Sequence, residues 1–101
     1  MSEVRMSAPT LKLLKFFLEK PLEGQSGADI YRALKIGSGT LYPLLARLEN
    51  AGWIKGSWEK ISPSDVGRPR RRFYQLTGKG QNNAIRALSE LQTAPGLLAW
   101  N

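Results

Sequence analysis

Cysteine and histidine are both absent from the 101-residue sequence. Without a thiol there is no disulfide framework and no thiolate metal site. Without an imidazole there is no Ser-His pair and no ordinary zinc site. Acidic residues are scarce as well: 8 Asp and Glu stand against 15 Lys and Arg, a formal charge of +7. The carboxylates are scattered, with no pair spaced for shared acid–base work, so no enzyme and no cofactor are expected. Gly37-Ser38-Gly39-Thr40 hints at a phosphate loop but lacks the Gly-Lys-Ser/Thr ending, and reads instead as a helix start. No apolar run reaches the length of a membrane span. The first residues also lack the basic-then-apolar pattern of a signal peptide, which makes the cytoplasm the expected location.

Hydrophobic residues make up 42% of the chain, enough for a globular fold, and the length fits one domain over residues 1–101. The basic excess favours an anionic partner, nucleic acid or a membrane surface. Its most concentrated part is the stretch Gly67-Arg68-Pro69-Arg70-Arg71-Arg72, with Lys79 beyond it and no carboxylate between Asp65 and Glu90. A Gly- and Pro-rich tip cannot bury such charges cheaply, but it can set them against a polyanion.

The apolar periodicity predicts four helices and a hairpin. The first helix spans about Pro9 to Glu19. Leu11, Leu14 and Leu18 form one face, Leu13, Phe16 and Phe17 cover most of the other, and Lys12, Lys15 and Glu19 leave a narrow polar stripe. A helix so apolar all round is covered on more than one side, by the C-terminal helix or by another subunit. Residues 1–7 read as a frayed start. Pro21 ends the first helix. Ser26 and Asp29 match a capping box for a second helix, about Gly27 to Lys35, with Ile30, Ala33 and Leu34 inward. Gly37 makes the turn and Ser38 caps a third helix, which reaches about Ala51 and stops at Gly52. Leu41, Leu44, Leu45 and Leu48 face inward, and Pro43 makes an irregular start expected. A strand over Trp53–Glu59, a loop over Ile61–Pro69 and a strand over Arg72–Leu76 form a wing. A fourth helix runs from about Gly78 to Thr93, and Pro95-Gly96 breaks it before the apolar tail Leu97-Leu98-Ala99-Trp100-Asn101.

The order helix, helix, turn, helix, hairpin describes a winged helix-turn-helix, mainly α with a small β wing. The winged region covers residues 8–77, and a C-terminal dimerisation helix and tail cover residues 78–101. The outward face of the third helix is Gly39, Pro43, Ala46 and Asn50, flanked by Thr40, Tyr42 and Arg47. Arg47 and Asn50 are the candidates for reading base edges in double-stranded DNA. Thr40 and Tyr42 suit phosphate, although Tyr42 could instead pack on the second helix and Arg47 could pair with a carboxylate. Ser26 and Ser38 serve as caps or phosphate ligands, Lys35 as a backbone contact, and Arg68, Arg70, Arg71 and Arg72 as the wing's cations. Trp53 and Trp58 read as wing-base core. Trp100 could pack on the first helix, on a partner, or against a small aromatic effector.

Two segments carry a resemblance to a known family. Gly39-Thr40-Leu41-Tyr42-Pro43-Leu44-Leu45, followed by Arg47-Leu48-Glu49 and Gly52-Trp53-Ile54, resembles the PadR family of bacterial transcriptional regulators. Gly67-Arg68-Pro69-Arg70, with Phe73-Tyr74 and Leu76-Thr77-Gly78-Lys79-Gly80, resembles that family's wing and its exit. The resemblance implies a homodimeric, repressor-type DNA binder, with the first and fourth helices forming the dimer and small effectors modulating it. On that reading the interface comprises Leu13, Phe16, Phe17, Ile85, Leu88, Leu91, Leu98 and Trp100. The chain departs from the pattern in its short fourth helix and in Gly27-Ala28, where relatives carry Gly-Tyr. Two other classes stay open: an adaptor that chiefly binds another protein, and a binder of RNA or single strands, which would want exposed aromatics among the basic residues.

Overall fold

Ser7 starts the first helix, α1 (Ala8–Glu19), by accepting a hydrogen bond from the Thr10 N–H, and Pro9 occupies the first turn where its missing N–H costs nothing. This computed structural model of the protein describes residue 4 and residues 6–93. Leu13, Leu14 and Phe17 of α1 are 0% exposed. Their cover comes from within the protomer, because α1 packs against three other elements, α2 (Gly27–Leu34), β3 (Arg72–Leu76) and α5 (Gly78–Thr93). Of the two covers that the all-apolar helix left open, the C-terminal helix packs on it within the protomer. Val4 also enters this core at 5% exposure, so the expected frayed start does not hold there.

The Ser26 hydroxyl accepts from the Asp29 N–H at 3.1 Å and caps α2. The Asp29 carboxylate does not close the capping box. It pairs instead with Arg32, one turn on. Ser26 also belongs to a two-residue strand, β1 (Gln25–Ser26), which pairs antiparallel with β3 at Gln25↔Tyr74 and Ser26↔Phe73. Two residues are too few to show an alternating pattern, so this strand has no sequence signal.

The turn into α3 (Ser38–Asn50) is made differently from the sequence expectation. Lys35, not Gly37, takes the left-handed conformation, at φ 58, and its N–H donates to the Tyr31 carbonyl. Ser38 is not the cap but the first helical residue. Gly37 stands at the N-cap, and its carbonyl accepts from the N–H groups of Thr40 and Leu41. The helix passes through Pro43 and buries Leu41, Leu44, Leu45 and Leu48. It ends as expected at Gly52, whose φ of 81 suits glycine. The Gly52 N–H bonds Glu49 O and the Trp53 N–H bonds Leu48 O, the paired closure of a Schellman motif.

The wing strands β2 (Ile54–Trp58) and β3 pair antiparallel from Ile54↔Leu76 to Trp58↔Arg72, giving the sheet order β1-β3-β2. The tip between them contains a short helix, α4 (Pro63–Val66), where a plain loop was expected. At the wing's exit Leu76-Thr77-Gly78-Lys79-Gly80 forms a clamp. The Thr77 hydroxyl donates to the Gly52 carbonyl at 2.6 Å and accepts from the Gly80 N–H at 3.0 Å, capping α5. The Lys79 ammonium donates to the Ala51 carbonyl at 2.9 Å and so neutralises the end of α3.

Candidate nucleic-acid interface

The solvent face of α3 carries Ser38, Gly39, Thr40, Tyr42, Pro43, Ala46, Arg47 and Asn50, all exposed. Among the described residues no carboxylate pairs with Arg47 and nothing bonds the Asn50 amide, so the surface-pair alternative for Arg47 does not hold. Tyr42 does two things at once. Its ring lies so close to α2 that a Cβ on Gly27 would sit 2.8 Å from a ring carbon, yet the residue is 47% exposed. A glycine at position 27 is what lets the ring approach.

Beside Tyr42 opens a groove of about 390 Å³, lined by Ala28, Tyr31, Arg32, Ser38 and Tyr42. Sequence reasoning left Tyr31 and Arg32 out of the candidate site. The available signal was Ala28: a small residue there leaves the groove open between the two tyrosines. Ser26, by contrast, is 2% exposed and its hydroxyl is engaged in capping, so it has little to offer a phosphate. Lys35 is exposed, with a left-handed backbone that projects it from the turn.

The wing's cations are not equivalent. Arg68 donates to both oxygens of Glu59, at 2.7 and 2.9 Å, a bidentate pair. Arg72 donates to Glu49 of α3 at 2.8 Å, and its guanidinium lies 5.0 Å from the Trp58 ring centroid. Arg70 bonds the Ile61 carbonyl through Nε and is otherwise exposed. Arg71 gives its backbone N–H to Glu59, while its side chain stays exposed and makes no ion pair among the described residues, its charge reaching Glu59 only at longer range. A tip free of carboxylates in sequence therefore has two brought to it in space. Trp58 corrects another expectation: Trp53 is core at 7% exposure, but Trp58 is 59% exposed under the Arg72 guanidinium.

The profile of the Transcriptional regulator PadR-like family matches residues 20–86. The chain belongs to the PadR family. The solved structures agree with that. A PadR-like transcription factor from Bacteroides fragilis superposes with a TM-score of 0.70 at 27% identity, covering 83% of this chain and 80% of that one. A transcriptional regulator homologue from Pyrococcus horikoshii OT3 gives 0.69 at 23% identity, covering 83% and 76%. The Staphylococcus aureus regulator MepR, solved in its DNA-binding conformation, gives 0.68 at 21% identity, covering 83% and 57%, and shares the fold. No curated protein sequence matches the chain. The PadR match takes in α2, α3, the whole wing and the first half of α5, so the fold is that of a winged-helix, DNA-binding type of regulator.

The residues that the PadR resemblance assigned to a dimer interface fall into three groups. Leu13 and Phe17 are wholly enclosed in the protomer core and present no surface to a partner. Phe16 is half-buried, edge-on to Phe17 at 6.2 Å, and lines a groove between α1 and α2 with Lys12, Lys15, Glu19, Ala33 and Leu34. Ile85 is 49% exposed on α5 and Leu88 is half-buried. Leu98, Trp100, the Pro95-Gly96 break and the side chain of Leu91 lie outside the described residues, and with Trp100 the aromatic-effector expectation. Among the described residues no helix is long and apolar enough to cross a membrane, and no group of His, Cys, Asp or Glu could hold a metal ion.

One acid-range prediction follows from the tip. The Arg68 hydrogen bonds hold the Glu59 carboxyl at about 2, against the ordinary 4.5. Partial burial opposes this shift, and the Arg71 N–H adds to it. A depressed carboxyl stabilises the fold fully above its unfolded value and loses that contribution as pH falls through its folded value. The stability difference between the wild type and Glu59→Gln is therefore expected to be constant above pH 4.5 and to shrink between pH 4.5 and about 2. Urea midpoints of both proteins at pH 7, 5 and 3 check it. A difference that stays the same from pH 7 down to pH 3 would show that the carboxyl is not depressed.

Proposed function

We propose that this PadR-family protein is a sequence-specific DNA-binding regulator, a repressor that acts as a two-fold dimer on an inverted-repeat operator. The observation that carries the proposal is the pairing of an uncommitted Arg47 and Asn50 on the exposed face of α3 with an exposed Arg71 at the wing tip. The α3 face suits the major groove, where arginine and asparagine read guanine and adenine edges. Its other exposed residues are small or rigid, so direct readout is sparse and DNA shape contributes to specificity. Arg70, Arg71, Lys35 and the groove between Tyr31 and Tyr42 suit the sugar–phosphate backbone. The adaptor reading loses one of its two supports, since the second side of α1 is covered by α5 and β3.

The test is a salt titration on a site selected from random duplexes and on a scrambled duplex. Arg47→Ala and Asn50→Ala are each expected to cost about 1–3 kcal/mol on the selected site and little on the scrambled one. A half-turn insertion of about 5 base pairs between half-sites is expected to abolish tight binding, since dimer half-sites lie about 34 Å apart. Equal losses on both duplexes would remove the base-reading role of α3, and indifference to the insertion would remove the dimer.

A further inference from the structure

We propose that Arg72 is a positioning residue that locks the wing to α3 through Glu49, and that it is not a phosphate contact. The inference deepens the DNA-binding reading above and rests on it. Glu49 stands one residue before Asn50, near the end of α3. A single oxygen of its carboxylate accepts from the Arg72 guanidinium at 2.8 Å and from the Gly56 N–H at 3.3 Å. One acceptor thus joins three elements: α3, the edge strand β2 and the central strand β3. An edge strand presents N–H groups with no neighbouring strand to receive them, and Glu49 meets one of these.

The guanidinium has a slot made for it. Arg72 stands opposite Trp58 in the register, and its side chain runs back across β2 over Gly56. A Cβ on Gly56 would lie 2.6–2.7 Å from three guanidinium atoms, so a side chain there would push the guanidinium out of its place. The Trp58 and Tyr74 rings flank the group, with centroids 5.0 and 6.0 Å away. A planar guanidinium suits both the carboxylate and the aromatic faces, which an ammonium would not. The Arg72 and Glu49 side chains are 30% and 33% exposed, so the pair is partly desolvated and less screened than a surface pair.

Charge accounting then decides between the two roles. With Glu49 in place, the pair presents no net charge to a phosphate. Were Arg72 to leave for DNA, it would strand the Glu49 carboxylate, unneutralised, beside the duplex. What the lock does is fix the angle between the helix that enters one groove and the wing that lies along the next. A wing that pivots still meets phosphates somewhere on any duplex, but it no longer fits one spacing. The lock therefore acts on discrimination and not on general affinity.

Four variants separate the roles on the selected and scrambled duplexes: Glu49→Gln, Gly56→Ala, Arg72→Gln and Arg71→Gln, each checked for cooperative melting. Gly56→Ala is the informative one, because it expels the guanidinium and leaves every charge. Gly56→Ala and Glu49→Gln are each expected to lower the ratio of specific to non-specific affinity roughly tenfold without changing the salt slope, and the Glu49→Gln/Arg72→Gln double variant to lose no more than either single one, as members of one network do. Arg71→Gln is expected to flatten the log–log salt slope by about one unit on both duplexes. The proposal is overturned if Arg72→Gln flattens that slope while Gly56→Ala binds like the wild type, or if Glu49→Gln tightens binding to both duplexes. Hydrogen exchange in the free protein gives a readout without DNA. The Gly56 amide is expected to lose protection in Glu49→Ala, which removes the acceptor, and keep it in Arg71→Gln; unchanged protection in Glu49→Ala removes the lock. If the wild type retards no duplex while the Gly56 amide behaves as stated, the lock stands and the DNA-binding reading falls.

Discussion

Replacing Gly80 by alanine is expected to destabilise the protein by about 3 kcal/mol or more, at the upper end of the usual cost of overpacking. The substitution adds one methyl group at the start of α5, and the site has no room for it. A Cβ there would overlap the Trp53 carbonyl oxygen and lie 2.6 Å from its carbonyl carbon and 2.9 Å from its Cα. All three are backbone atoms, so no side-chain rotation relieves the clash. The same carbonyl accepts from the Thr77 N–H at 3.0 Å and from the Thr77 hydroxyl at 3.2 Å. Moving α5 away would therefore break the clamp that joins α5, β2 and the end of α3. Thermal melting checks this, with a fall in Tm of about 12 °C or more expected for a domain of this size. A Gly80→Ala protein that melts within a few degrees of the wild type would show that the close approach is not made.

Phe17→Ala is expected to cost about 3–5 kcal/mol, the usual range for removing a fully buried phenylalanine. Domains are stable by only about 5–15 kcal/mol in total, so the variant would lose a large share of its stability. The larger point is how the loss depends on concentration. Phe17 is 0% exposed within one protomer, among Leu13, Leu14, Ile30 and Leu41. A core contact loses the same stability at any protein concentration, whereas a residue that binds a second subunit loses stability that concentration restores by mass action. Urea unfolding at 1 and 100 µM, taken as order-of-magnitude working points, separates the two. A loss that fades at the higher concentration would return Phe17 to the dimer interface.

These two residues illustrate where sequence reasoning stops. That α1 is apolar all round was legible from Leu11, Leu13, Leu14, Phe16, Phe17 and Leu18. Which of two surfaces covered its second side was not, because an apolar side chain carries no label for its partner. The wing shows the same limit for charge. Four arginines at the tip looked alike in the chain, but Arg68 and Arg72 are held by Glu59 and Glu49, 9 and 23 residues away in sequence. Trp58 was misplaced for a related reason: alternation says which face of a strand a residue takes, not whether anything covers that face.

By itself the sequence determined what local chemistry controls. Helix α5 begins at Gly78 and β3 spans Arg72–Leu76, as the composition predicts, because Thr77 caps the one and the Gly-Pro tip bounds the other. The inward face of α3 follows from leucines at helical spacing, and its end follows from Gly52. The PadR resemblance rests on short motifs of this local kind. Tertiary structure alone decided the rest: the strand β1, the left-handed turn at Lys35, the enclosure of Leu13 and Phe17, and the division of the wing arginines between braces and free charges. Apart from the turn at Lys35, whose bond to Tyr31 is local, the physical reason is common to them. Hydrogen bonds, ion pairs and burial between distant residues form only when the fold brings them within a few ångströms, and the spacing of residues along a chain does not encode that distance.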